Sequence, residues 1–169
     1  MIRRLAIIPL LLMTASAPLA AAPAPRLGTA SFEDLPRPLP LPYDEAANAG
    51  KAVAAASARA KASGKLLLID LGGNWCPDCR ILAGTMELPQ LKRFIRSHYE
   101  VVMVNVGRFD RNMDIPARYG IVRPAGVPAL LVIDPKTGKL LNKGHETALS
   151  DARAMSPQAL ANWLASWTR

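Results

Sequence analysis

Three stretches of this chain, Leu66-Leu67-Leu68-Ile69-Asp70-Leu71, Val101-Val102-Met103-Val104-Asn105-Val106 and Ala129-Leu130-Leu131-Val132-Ile133, are apolar along nearly their whole length. A strand with one face in water alternates apolar and polar residues, whereas a continuous run belongs to a strand covered on both faces. All three are therefore expected in the middle of a sheet. Helical stretches from Cys76 to about Tyr99, interrupted near Pro89, and from about Met113 to Tyr119 lie between them. Such crossovers make the first pair of strands parallel. The turn Asp134-Pro135-Lys136-Thr137-Gly138 leads into a short strand, Lys139 to Asn142, which closes an antiparallel hairpin.

Helices frame this sheet. Tyr43 to Ser63 reads as one, with Asp44 and Glu45 in its first turn, Lys61 in its last and Gly64 as the stop. Ser156 to Trp167 reads as another, whose Leu160, Trp163, Leu164 and Trp167 share the face that meets the core. The fold class is α/β: a central mixed sheet flanked by helices, with an N-terminal helical extension.

The only two cysteines stand in Trp75-Cys76-Pro77-Asp78-Cys79, after the first apolar run and at the start of a helix. Side chains three apart on a helix lie on one face, within the Cα separation of roughly 4.4–6.8 Å that a disulfide spans. The unpaired N–H groups of a helix N-terminus favour a thiolate on the leading Cys76, the nucleophile candidate. Cys79, one turn further in, is the resolving thiol. Pro77 fits the first helical position, where its missing N–H costs nothing. A permanent structural disulfide and half of a zinc site are the alternatives. Zinc wants four ligands, and the chain offers only these cysteines with His98 and His145, which are not at ligand spacing. No metal and no cofactor is expected.

With 169 residues and 50% hydrophobic composition, the chain can bury one substantial core. Residues 1–22 carry Arg3-Arg4, the apolar run Leu5 to Met13 and small residues to Ala22, which is the pattern of a secretory signal peptide. Cleavage near Ala20 to Ala22 is expected, with an uncleaved anchor as the alternative, and either places the protein in the periplasm or outside the cell. Residues 23–42 hold six prolines and form a linker, either a tether or an arm laid on the domain, and residues 43–169 are the domain. The formal charge of +8 becomes +6 without Arg3 and Arg4. Its Lys and Arg residues are scattered without aromatic interleaving, so nucleic acid is not an expected partner.

From about Gly64 to Trp167 the chain resembles the thioredoxin family. The resemblance rests on a strand carrying Asp70, then Trp75-Cys76-Pro77-Asp78-Cys79 opening a helix, then Tyr119-Gly120-Ile121 and Gly126-Val127-Pro128 entering an apolar strand. It implies that Pro128 is cis beside the dithiol and that the Val127 backbone pairs with an extended substrate segment. Trp75, Pro77, Val127 and Pro128 thus become the substrate-binding candidates. It also implies that Asp70 is a buried acid below the dithiol, able to take the proton of Cys79. The chain departs from the family in placing Met103 where many thioredoxins carry a lysine that pairs with that acid. It also departs in the longer stretches Val122 to Gly126 and Gly144 to Met155.

The residues between the cysteines tune the redox couple. Asp78 puts negative charge beside Cys76 and should leave the thiolate, hence the reduced form, less stabilised. The expected activity is thiol-disulfide oxidoreduction, in the direction of reducing protein disulfides. The protein would be a monomer acting on disulfide-bearing proteins and supplied with electrons by a membrane thiol relay. A dithiol oxidase or isomerase, and a non-catalytic peptide-binding module, remain the other readings.

Overall fold

A computed structural model describes residues 20–168 of the chain; the proposed signal peptide lies mostly outside the described residues. The first strand, β1 (Leu66–Gly72), is buried along its whole length. It pairs in parallel with β2 (Tyr99–Asn105) and antiparallel with β3 (Ala129–Asp134), which pairs antiparallel with the short β4 (Lys139–Leu140). The order across the mixed sheet is β2-β1-β3-β4.

Two of the apolar runs occupy the sheet centre, but β2 lies at its edge, which corrects the expectation that all three are central. Glu100, Val101 and Met103 on β2 are only partly buried. Its apolar residues are needed on both faces because helices cover both, while no further strand among the described residues pairs with its outer edge. The strand expected at Lys139 to Asn142 ends after two residues for a local reason. The buried Asn142 amide continues the ladder in place of main chain, its Oδ1 accepting from Val132 N–H at 2.9 Å and its Nδ2 donating to Leu130 O at 2.7 Å.

The helix α1 (Ala49–Ser63) covers one face of the sheet, turning Ala49, Val53, Ala56 and Ala60 inward. Alanine at these positions lets the helix approach Leu67, Ile69, Leu71 and Val104 closely. Gly64, at φ 71°, ends it in the left-handed conformation that glycine adopts without strain. Its start differs from the expected Tyr43. Asp44 Oδ1 accepts the Ala46 N–H at 2.8 Å in a local turn, and Asn48 is the residue that caps the helix, through Lys51 N–H at 2.9 Å. Tyr43 is thereby released to point inward.

The other face carries α2 (Pro77–Met86), α3 (Pro89–His98) and α5 (Pro157–Ser166), whose Leu82, Leu91, Leu160 and Leu164 pack with Leu66, Leu68, Leu130 and Val132. The short α4 (Asp114–Ala117) precedes β3. On α5 the leucines of the expected face are fully buried, while Trp163 and Trp167 lie at its rim, edge-to-face at 5.8 Å.

Residues 20–42 are laid across this second layer. Ala22 N–H donates to Thr168 Oγ1 at 2.7 Å and Leu27 N–H to Gln158 Oε1 at 2.9 Å. Further along, the Arg80 guanidinium donates to Leu39 O at 3.0 Å and Pro40 O at 3.2 Å. Leu35, 2% exposed, joins the cluster of Leu82 and Leu88. Truncating a buried leucine costs about 2–5 kcal/mol, so Leu35→Ala should lower the unfolding free energy by at least about 2 kcal/mol in urea titrations. Leu41→Ala, at a position 64% exposed, should change it by less than about 0.5 kcal/mol. Equal, small effects would mean that this segment does not fold with the domain.

Candidate active site

The two cysteines meet at the N-terminus of α2. Cys76 is the cap residue, Pro77 opens the helix, and Cys79 follows in the first turn. They are joined as a disulfide with Cα atoms 5.3 Å apart. The Cys79 N–H donates to Cys76 Sγ at 3.1 Å, so the sulfur that would carry negative charge after reduction already holds one of the orphan donors of the helix. Cys76 Sγ lies 3.5 Å from the Val127 carbonyl oxygen. The Val127–Pro128 peptide is cis, and both residues are buried.

Asp70 lies fully buried on β1. Its register partners are Met103 on β2 and Leu130 on β3, neither ionisable. The polar partner comes from elsewhere: Tyr43, also buried, donates its hydroxyl to Asp70 Oδ1 at 2.9 Å. Oδ2 has no hydrogen-bond partner among the described residues. Burial pushes the Asp70 carboxyl up from 3.8 to about 7, and the Tyr43 hydrogen bond pulls in the opposite direction. The Tyr43 hydroxyl is itself held well above its ordinary value by burial and by the neighbouring carboxylate.

Gly72 ties these groups to the dithiol. A Cβ at this position would overlap the Tyr43 hydroxyl and come within 2.8 Å of Cys79 Sγ. Tyr43 and Cys79 therefore share the space that glycine leaves free. Sequence alone gives Tyr43 no role beyond a helix start; its only signal is an aromatic residue directly after the proline run.

Asp78 differs from its expected setting. It is 4% exposed and ion-paired to Arg153, whose Nε lies 3.1 Å from each carboxylate oxygen, whose Nη2 contacts Oδ2, and whose main-chain N–H donates to Oδ1 at 2.9 Å. Burial opposes ionisation of Asp78, but these hydrogen bonds and the guanidinium charge outweigh it and hold the carboxyl below its ordinary value. Its charge is thus matched, which removes the basis for expecting an uncompensated anion beside Cys76. Arg153 lies in the long stretch before α5, where no sequence signal marks it.

The rim is aromatic and basic. Trp75 is 44% exposed, donates Nε1–H to Gly107 O at 2.8 Å, and carries the Arg108 guanidinium 4.6 Å from its ring centroid. Phe109, at φ 67°, sits under Arg123 at 4.8 Å. Pro77 is exposed beside Cys76. The histidines lie in other settings: His98 packs on Phe94 and His145 on Trp167. Among the described residues no group of three His, Cys, Asp or Glu side chains is placed to hold a metal ion.

A family model described as thioredoxin-like matches residues 48–135. Among solved structures, a disulphide isomerase from Xylella fastidiosa Temecula1 is 38% identical, over 75% of this chain and 96% of that one, with a TM-score of 0.70. A protein of unknown function from Pseudomonas aeruginosa is 19% identical over 71% of this chain and 84% of its own, with a TM-score of 0.39. No curated protein matches the sequence.

The Asp70 carboxyl has a measurable consequence for stability. Its raised value means that the folded chain keeps a proton which the unfolded chain releases, so stability falls as pH rises from about 4 to about 7 and stays lower above that. The full difference is roughly 4 kcal/mol. Oxidised Asp70→Asn should therefore be more stable than the parent at pH 8 by up to that amount, and the gap should close near pH 4. Urea unfolding at the two pH values checks this, and an unchanged gap between them would mean that Asp70 is not desolvated.

Proposed function

The chain belongs to the thioredoxin-like family and is a thiol-disulfide oxidoreductase, and from that premise we propose that it reduces disulfides in exported proteins. Cys76 is the attacking sulfur and Cys79 the resolving one. The observation that carries this reading is the placement of the pair: Cys76 caps α2 against the Val127 carbonyl, and Cys79 lies behind it with Tyr43.

In the reduced protein, the Cys76 thiolate attacks one sulfur of a substrate disulfide. A mixed disulfide forms and the other substrate sulfur leaves as a thiolate. Cys79 then gives its proton to Asp70 and attacks Cys76 Sγ; the Cys76–Cys79 bond forms and the second substrate sulfur departs. Two electrons pass from the dithiol to the substrate. A substrate strand would lie along the Val127 main chain, with Trp75, Pro77 and Pro128 as its floor and Arg108 at the edge.

The reducing direction is supported by what surrounds Cys76. No basic or imidazole side chain lies between the cysteines, and the guanidinium of Arg153 is matched by Asp78. The thiolate is left with the helix terminus and one N–H, less stabilisation than strong oxidants supply. The leader-like residues 1–22 support export, where a reductant needs a membrane thiol relay to restore its dithiol. Isomerisation is the second reading, favoured by the 38% identical disulphide isomerase structure; it uses the same first attack, followed by release of a rearranged substrate.

Equilibration in dithiothreitol and glutathione buffers tests the direction. A potential near or below about −240 mV supports a reductant, and one above about −160 mV overturns it. Cys79→Ser should accumulate mixed disulfides with substrate proteins, whereas a peptide-binding module would keep its partners with both cysteines changed to Ser. The ion pair adds a test by sign. Asp78→Asn leaves Arg153 with only the longer contact to Asp151 at 3.8 Å and should raise the potential by roughly 15–30 mV, while Arg153→Met leaves the Asp78 carboxylate without its guanidinium and should lower it by a similar amount. Shifts of the same sign would show that the pair acts through structure and not through charge.

A further inference from the structure

We propose that Tyr43 is a positioning residue for the resolving step, holding Asp70 ready to accept the proton of Cys79, and that the segment carrying it is part of the active site. This inference rests on the dithiol chemistry proposed above.

The geometry is specific to the hydroxyl. A tyrosine kept for its volume could turn its oxygen towards solvent, yet this one is buried and donates to Asp70 Oδ1 at 2.9 Å. It is the only hydrogen-bond donor to that carboxylate among the described residues, since Oδ2 has no partner and the strand neighbours Met103 and Leu130 carry no polar group. The titratable group in contact with Asp70 is Tyr43, and neither register neighbour, Met103 or Leu130, is a cation. Met103 stands where the family resemblance would place a lysine, and Tyr43 supplies a neutral donor instead.

The backbone of Tyr43 is fixed by the motif it serves. Asn74 Oδ1 accepts the Tyr43 N–H at 3.1 Å and Asn74 Nδ2 donates to Tyr43 O at 2.8 Å. Arg80 holds the preceding carbonyls of Leu39 and Pro40. One clamp lies just before Cys76 and the other directly after Cys79. Gly72 leaves room for the Tyr43 hydroxyl next to Cys79 Sγ.

A donor to the carboxylate favours its charged form, which proton acceptance requires. As Cys79 attacks Cys76 Sγ, its proton passes to Asp70, the bond from Cys76 to the substrate sulfur breaks and that sulfur leaves as a thiolate. No further oxidant or reductant enters. Without the Tyr43 hydroxyl the carboxylate has no hydrogen-bond donor, and its proton affinity rises.

The test is a rapid-mixing measurement of mixed-disulfide resolution as a function of pH, using the reduced full domain and a protein disulfide as substrate. Tyr43→Phe keeps the ring and should move the midpoint of the rising limb up by about one pH unit, with the rate at pH 7 falling about fivefold. Asn74→Ala, which frees the Tyr43 backbone, should shift it in the same direction by less, and decides the matter if Tyr43→Phe does not fold. Profiles that superimpose on the parent, even with a lower melting temperature, overturn the positioning role. A parent protein that resolves no mixed disulfide at any pH overturns both this inference and the function beneath it.

Discussion

A carboxyl group in a strand buried along its whole length, with no cation at either register-neighbour position, is the constraint around which the rest of this site is arranged. Asp70 occupies a position on β1 where every neighbouring strand residue is apolar. A single neutral hydrogen bond cannot repay the desolvation of a carboxylate, and the group is accordingly held close to the point where it changes charge near neutral pH. That is a poor arrangement for stability and a useful one for moving a proton. The hydrogen-only side of Gly72 leaves room for the Tyr43 hydroxyl, and the turn at Asp44 separates Tyr43 from α1.

Most of the scaffold was legible in sequence because its signals are local. Continuous apolar runs mark β1 and β3, Gly64 and Pro89 punctuate helices, and the spacing of Cys76 and Cys79 is a property of one helical turn. What was not legible depends on residues far apart in the chain. Arg153 pairs with Asp78 across 75 residues, and Tyr43 with Asp70 across 27. No periodicity reports such pairs. The start of α1 was misplaced for a related reason: Asp44 and Glu45 look like first-turn acids, but a short-range turn and a buried tyrosine compete for the same residues and prevail. The edge position of β2 was hidden because helix coverage, and not strand neighbours, sets its apolar content.

Asp78 illustrates how far a charge read from sequence can mislead. Taken alone, an acid between two cysteines should oppose a thiolate. Folded, it is a buried acceptor paired with the exposed Arg153, and the pair anchors the segment before α5 to α2. What reaches Cys76 is then the small field of a matched ion pair, whose sign depends on which partner lies nearer the sulfur. The helix N-terminus and the Cys79 N–H become the larger local influences.

The two stretches Val122 to Gly126 and Gly144 to Met155 each lead to a residue of the site. They touch one another where a Cβ at Gly126 would come within 3.0 Å of Ser150 Cβ. One leads directly into the cis peptide at Val127 and Pro128, and the other delivers Arg153 to Asp78. The loop contact thus joins the cis-peptide segment to the segment that holds Asp78, whereas the cysteines and Asp70 stand on α2 and β1.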